Sequence, residues 1–235
     1  MAPLVEGAVE EARALVDAGF EALLVENFGD VPFVPGRVGS ETVAAMAVIV
    51  KEVHSVVSCP IGVNVLRSDA PSALAVAVAS GGSFIRVNVH TGTRVTDQGI
   101  LSGEAHETLR ARRALGGEAI EIWADMAVKH SVAISPRPLG EEALETAERG
   151  LADRLIVTGA VTGAAVAEDD LDTVRGAVAV PLVVGSGVVV ETLPWVRKQG
   201  HGAIIGSALR EGGRAGAPLD PRRLELFRAA LEGDP

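Results

Sequence analysis

Two hydrophobic periods alternate along the chain. Short runs dense in Val, Ile and Leu occur at "EALLVEN" (21–27), "PIGVNVL" (60–66), "FIRVNVH" (84–90), "IEIWADM" (120–126), "RLIVTG" (154–159), "PLVVGSG" (181–187) and "AIIGSA" (203–208), which is the pattern of short buried strands. Between them lie stretches that predict helices: "LVEGAVEEARALVDAG", "GSETVAAMAVIVKEVHSVV", "DAPSALAVAVASGG", "GEAHETLRARRALGG", "EEALETAERG", "EDDLDTVRGAV" and "VETLPWVRKQG", with a last helix over 221–231. Gly19, Gly150 and Gly200 stand at helix ends, where a left-handed cap suits a residue without a Cβ.

Strict alternation of strand and helix predicts right-handed crossovers and a parallel sheet covered on both faces. The chain enters at its first helix, so the pattern predicts an α/β fold, a TIM-type (β/α)8 barrel lacking its first strand, as one domain over residues 1–235. A doubly wound open sheet is the alternative, but it gives no reason for the Gly-Ser turns described below. A barrel short of one strand has two edges to cover, which "MAPLV" or a neighbouring copy could do, and a homo-oligomer is expected.

Composition narrows the function. The 235 residues are 48% hydrophobic, enough for a large core, and the formal net charge of -10 argues against a nucleic-acid groove or a polybasic membrane anchor. Cys59 is the sole cysteine, so no internal disulfide forms, and no charged segment followed by an apolar one opens the chain; a cytoplasmic location is expected. "TVAAMAVIV" (42–50) ends at Lys51, well short of the roughly 20 residues that span a bilayer, so any membrane contact would be peripheral. Aromatics make up 3% of the chain, and no exposed apolar patch is evident in the sequence.

In a parallel barrel the active face is built from the carboxyl ends of the strands. Here those ends carry Glu26 and Asn27, Asn64, then Arg86, Asn88 and His90, then Asp125, then Thr158. Period-two geometry puts Arg86, Asn88 and His90 on one face of their strand and Ile85, Val87 and Val89 on the other. A buried Arg86 needs a carboxylate, and Glu26 or Asp125 can supply it. Glu26, His90 and Asp125 are candidates for proton transfer, and Lys129 for neutralising an anion or for nucleophilic attack. Asn27, Asn64, Arg86, Asn88 and Thr158 are candidates for orienting a substrate, joined by Asp97 in "TGTRVTDQG", which reads as a polar loop able to close over the mouth.

The last two strands each turn through Gly-Ser, at "VVGSGV" and "AIIGSALR". A phosphate often sits after strands seven and eight of such barrels, so Gly185, Ser186, Gly187, Gly206 and Ser207 form a candidate phosphate cradle. The rival reading is that these glycines serve only tight turns. His54 and His106 fall within helices as surface or packing residues, and no H-E-x-x-H spacing marks a metal site. The metal is therefore unknown, with Mg2+ beside a phosphate one option; FMN held by the same turns is a weaker one.

"LLVENFGDVPF", "GVNVLRSDA", "FIRVNVHTGTRVTDQG", "ADMAVKHSVAI", "RPLGEEALETAERGLADRLIVTGAVTG" and "VVGSGV" together resemble the BtpA family, from about residue 4 to near the C-terminus. Members of that family carry a leading strand that this chain lacks. The resemblance implies a barrel similar to phosphate-binding α/β barrels. It also implies a link to the accumulation and stability of photosystem I at the thylakoid membrane, although members also occur in archaea and in non-photosynthetic bacteria. Two functions are thus expected as rivals: an isomerase, lyase or hydrolase acting on a sugar phosphate or nucleotide derivative, and a non-catalytic assembly factor for photosystem I or another membrane protein.

Overall fold

The computed structural model describes residues 1–126, 131–159, 167–199 and 202–233. The chain divides into two compact units, Met1–Val87 with Glu104–Ile122, and Asn88–Gly103 with Trp123–Pro235. All eight predicted helices are present, and each of the seven predicted strands has a counterpart, the last shortened to Gly202–Ala203 where 203–208 was expected.

Unit one holds α1 (Ala2–Asp17), β1 (Leu23–Glu26), α2 (Ser40–Val56), β2 (Ile61–Asn64), α3 (Ala70–Ser80), β3 (Phe84–Val87) and α4 (Ala105–Ala114). β1 pairs in parallel with β2, Glu26 opposite Asn64, and β2 pairs in parallel with β3. The Glu121 amide donates to the Ser83 carbonyl at 3.1 Å and starts β6 (Glu121–Met126) beside β3. On α2 the buried residues are Met46, Val50 and Val53, one helical stripe facing the sheet. α3 is buried nearly all round by Ala70, Ala73, Leu74, Val76 and Ala77, small side chains that let it pack closely. Its ends follow from sequence: Asp69 accepts from the Ser72 amide at 3.1 Å, a Pro opens its first turn, and Gly81 closes it at φ 87°.

Unit two continues β6 from Trp123 and adds β8 (Arg154–Val157), β9 (Leu182–Val184) and β10 (Gly202–Ala203), in the order β6-β8-β9-β10. Each of these neighbours is parallel. The helices are α5 (Leu139–Leu144), which runs into a π-helical turn over Glu145–Arg149, then α6 (Glu168–Ala177), α7 (Leu193–Lys198) and α8 (Pro221–Glu232). Asp220 caps α8 by accepting from the amides of Arg222 and Arg223. Among the described residues no helix is long and apolar enough to cross a membrane.

Three expectations need correction. Residues 91–103 are not an irregular loop: β4 (Thr93–Thr96) and β5 (Gly99–Ser102) form an antiparallel hairpin, and β7 (Ser131–Ala133) pairs with β4 to make a three-stranded sheet in the order β5-β4-β7. Arg94 ties it to α5 by donating to Glu142 Oε2 at 2.9 Å. β3 ends at Val87, so Asn88 and His90 lie beyond regular pairing, and Val89 packs on Leu101 of the hairpin rather than on a helix. Gly150 does not adopt a left-handed cap; its φ is -75° and Leu151 takes the positive φ of 52° instead. Gly150 is glycine for space, because a Cβ there would stand 2.6 Å from the Thr146 carbonyl and 2.9 Å from the Thr91 methyl. Gly200 lies outside the described residues.

Candidate functional site

Unit one gathers its polar residues on a single carboxylate. Glu26 closes β1, and its Oε1 accepts from Asn64 Nδ2 at 2.6 Å and from Arg86 Nη1 at 3.4 Å. Glu26, one of the two acids that sequence offered Arg86, meets it. The pair is largely shielded, with 11% of the Arg86 side chain and 27% of Glu26 exposed, so the attraction is screened less than at an open surface. Asn27 is bonded both ways to one residue: Leu66 donates its amide to Asn27 Oδ1 at 2.7 Å, and Asn27 Nδ2 donates to the Leu66 carbonyl at 3.3 Å. That bidentate clasp, with a further bond from Nδ2 to Asp30 at 3.1 Å, makes Asn27 a brace between the ends of β1 and β2.

Just beyond, buried Asp69 accepts from the Val38 amide at 2.9 Å and from Arg37 Nη1 at 3.1 Å, as well as capping α3. Arg37 also reaches Glu107 at 3.2 Å. Sequence reasoning gave Asp69 and Arg37 no part here. The "DAP" start of α3 signalled the cap, but nothing local signals that a loop 31 residues away folds onto the same carboxylate.

Unit two carries the remaining candidates at the carboxyl ends of its strands. Asp125 on β6 is buried and accepts from Asn88 Nδ2 at 2.7 Å. β6 and β8 pair with Asp125 opposite Ile156, and β8 and β9 pair with Val157 opposite Val184, which brings Thr158 and Gly185 to the next rung. Thr158 donates to the Met126 carbonyl at 3.2 Å, and the Gly185 amide donates to the Val157 carbonyl at 2.8 Å. Ser186 is buried and accepts from the Gly159 amide at 2.9 Å, so its hydroxyl oxygen ties the end of β9 to that of β8.

The glycines of the two turns differ. At Gly185 a Cβ would run into the methyls of Ile156 and Thr158, so this glycine is required by packing between β9 and β8. Gly187 has a φ of 70°, which turns the chain in a conformation that suits glycine. Gly206 is exposed, a Cβ there would meet nothing within 4 Å, and Ser207 follows it into a single 3-10 turn. Open space stands beside Gly206 and not beside Gly185.

Two further candidates lie outside the strands of the main sheet. His90 is fully buried, with its Nε2 2.8 Å from the Gly150 carbonyl. A ring nitrogen facing a carbonyl must carry the hydrogen, so Nε2 is the donor. Asp97 sits exposed at the hairpin tip, where it accepts from Gln98 Nε2 at 2.5 Å. Lys129 lies outside the described residues. Among the described residues no three His, Cys, Asp or Glu side chains gather as a metal site.

Solved structures of other proteins share this architecture. A phosphoribosyl anthranilate isomerase from Thermus thermophilus matches with a TM-score of 0.62 at 13% identity, covering 95% of this chain and 93% of that one. A thiamine phosphate pyrophosphorylase from Pyrococcus furiosus matches with a TM-score of 0.60 at 18% identity, covering 95% and 89%. The fold is therefore α/β of the TIM-barrel type. In sequence, the chain is 42% identical over 234 residues to the photosystem I biogenesis protein BtpA of Synechocystis sp., covering 97% of this chain and 79% of that protein. The family model described as "BtpA family" matches residues 1–233, and the chain belongs to that family.

Proposed function

We propose that this protein is an enzyme acting on a small phosphorylated metabolite, bound at the carboxyl-end rim of unit two. The observation that carries the reading is that β9 runs directly into Gly185-Ser186 and its neighbour β10 is followed, three residues beyond its end, by Gly206-Ser207, in the sheet whose β6 carries the buried Asp125 near its carboxyl end. Gly185, Ser186, Gly187, Gly206 and Ser207 surround the phosphate, with the open space beside Gly206 as its place of entry. Asp125 is the proton-transfer group, its carboxylate steered by Asn88, and Thr158 borders the substrate. The chemistry is an isomerisation, an elimination or a hydrolysis. Two proteins of the same fold are named for phosphate-bearing compounds, which supports the phosphate by analogy of fold. A thermal-shift titration with inorganic phosphate, sugar phosphates and nucleotides tests this, because a ligand of the native state must raise the melting temperature. A rise lost in Gly206→Asp, a substitution with room for its side chain, supports the site; no rise with any phosphate compound overturns it.

A second reading, a peripheral assembly or stability factor, is favoured by one specific observation. Val95, Ile100 and Val132 lie directly opposite one another across β4, β5 and β7, and Ile134 continues the row on the same face. They are 47%, 66%, 70% and 54% exposed. The patch is not visible in the sequence, because these alternate residues share a face only once β4, β5 and β7 have paired. The Synechocystis relative is named for photosystem I biogenesis. Co-sedimentation with vesicles or membrane proteins that is abolished by Ile100→Lys with Val132→Lys supports this second reading, and unchanged sedimentation removes it.

A further inference from the structure

The amide of Asn88 can face Asp125 in only one way. A carboxylate accepts and does not donate, so the NH2 end must lie against Asp125 Oδ2, 2.7 Å away. Oδ1 is thereby fixed on the other side of the amide. It has no hydrogen-bond partner there, although Asn88 is only 5% exposed. Unit one repeats the arrangement independently: Asn64 Nδ2 lies 2.6 Å from Glu26 Oε1, and Asn64 Oδ1 has no partner in a residue 1% exposed. In each case an acid uses up the donor end of an amide and leaves the acceptor end presented.

A buried carbonyl oxygen without a donor is uncommon in folded proteins and calls for an explanation. A phosphate oxygen cannot supply one, since it is itself an acceptor. A ligand hydroxyl can. The aromatic rings of unit two point the same way: Arg154 lies over the Trp123 ring at 5.1 Å, Trp195 Nε1 donates to Glu168 at 3.3 Å, and Phe227 is buried. Among its described residues unit two holds three Trp and Phe rings, Trp123, Trp195 and Phe227, and the last is buried, so it offers little aromatic surface on which a nucleobase could stack.

We propose that Asn88 Oδ1 accepts a hydrogen bond from a ligand hydroxyl, so that the phosphorylated ligand is a polyhydroxylated one, a sugar or polyol phosphate, rather than a nucleotide. This rests on the phosphate-site reading above and narrows its substrate class. Asn88 then sets specificity, while Asp125 holds the amide in the one orientation that serves.

The test compares ligands of equal charge on the unaltered protein: glucose 6-phosphate against n-hexyl phosphate, with inorganic phosphate and AMP as references, by calorimetric titration. The expected result is that glucose 6-phosphate binds at least about tenfold more tightly than hexyl phosphate or AMP, the effect of one well-placed hydrogen bond. In Asn88→Leu the two phosphate monoesters should bind alike. Equal binding of glucose 6-phosphate and hexyl phosphate to the unaltered protein overturns the hydroxyl inference while leaving the phosphate site intact. AMP binding as tightly as the sugar phosphate overturns the choice of ligand class, and a preference that survives in Asn88→Leu overturns the assignment to that residue. Failure of all four ligands overturns the functional reading as well. If Asn88→Leu does not fold, the comparison on the unaltered protein still decides the ligand class.

Discussion

Gly62 stands directly across from Phe84 in the pairing of β2 with β3, and the Phe84 ring fills the space that a Cβ on residue 62 would occupy. Phe84 is buried against the sheet, so its ring has little freedom to retreat. Gly62→Ala should therefore destabilise the protein by about 1–3 kcal/mol, the usual cost of forcing extra volume into a packed core. Phe84→Leu should restore part of that loss in the double variant, although alone it removes buried area. Urea midpoints of the four proteins in the cycle measure the coupling; simple additivity would mean that the ring and residue 62 do not compete for space.

Asp69 makes three bonds that no other residue can replace: to the Ser72 amide, to the Val38 amide and to Arg37. Asp69→Ala removes the cap of α3 and leaves a backbone donor of Val38 without its acceptor. Losing a cap costs about 1 kcal/mol, and water replaces only part of the bond lost at the half-buried Val38 amide, so a total of roughly 1–3 kcal/mol is expected. Asp69→Asn should recover the cap but only part of the rest, since it loses the charge that faces Arg37. Proteolysis within 31–39 should quicken in Asp69→Ala well before global unfolding, because that loop is tied down through Val38 and Arg37.

These two cases show what the sequence made legible. The strands of the main sheet stood out because most are short runs dense in Val, Ile and Leu set between helical stretches, and "DAP" and "DPRR" carry an acid in cap position at the starts of α3 and α8. The need of Arg86 for an acid was also readable, as a desolvated cation must be paired, and strand order put Glu26 in range. What escaped depended on distant register. β4 pairs with β7, some forty residues on, and Val95, Ile100 and Val132 declare an exposed face only once that pairing is known. At Gly185 the sequence shows a missing Cβ but not which neighbours fill its place; Ile156 and Thr158 do.

Cys59 offers a pH-dependent check. Partial burial pushes its thiol up from the usual value. Raising the pKa in the folded state stabilises the thiol form, so this contribution is complete below the unfolded thiol's pKa and is lost as pH rises through the folded value. Urea midpoints should accordingly fall above about pH 8.5, where an ordinary thiol begins to ionise, and should fall less in Cys59→Ser. Alkylation by iodoacetamide at pH 8 should be slower than for a free cysteine and should speed up in urea. Equal pH profiles for the two proteins would show that the thiol is solvated as in the unfolded chain.

The two Gly-Ser turns should separate under the same substitution. Gly185→Ala drives a methyl into Ile156 and Thr158 on β8, and the Gly185 amide bond to Val157 leaves the backbone little room to shift. A loss of about 1–3 kcal/mol is expected from overpacking. Gly206→Ala adds a methyl where nothing lies within 4 Å, so no overpacking opposes it and it should lose less stability than Gly185→Ala. Phosphate-ester binding should respond in the opposite order once stability is accounted for. Gly206→Ala places its methyl in the space the ligand would enter and should weaken binding, whereas Gly185→Ala, if populated enough to assay, points its methyl at β8 and away from that space. Matched thermal-shift titrations of both variants decide between the two roles. A Gly206→Ala protein as stable as the parent that still binds phosphate esters normally would show that its glycine serves the turn alone, and would remove the phosphate from this end of unit two.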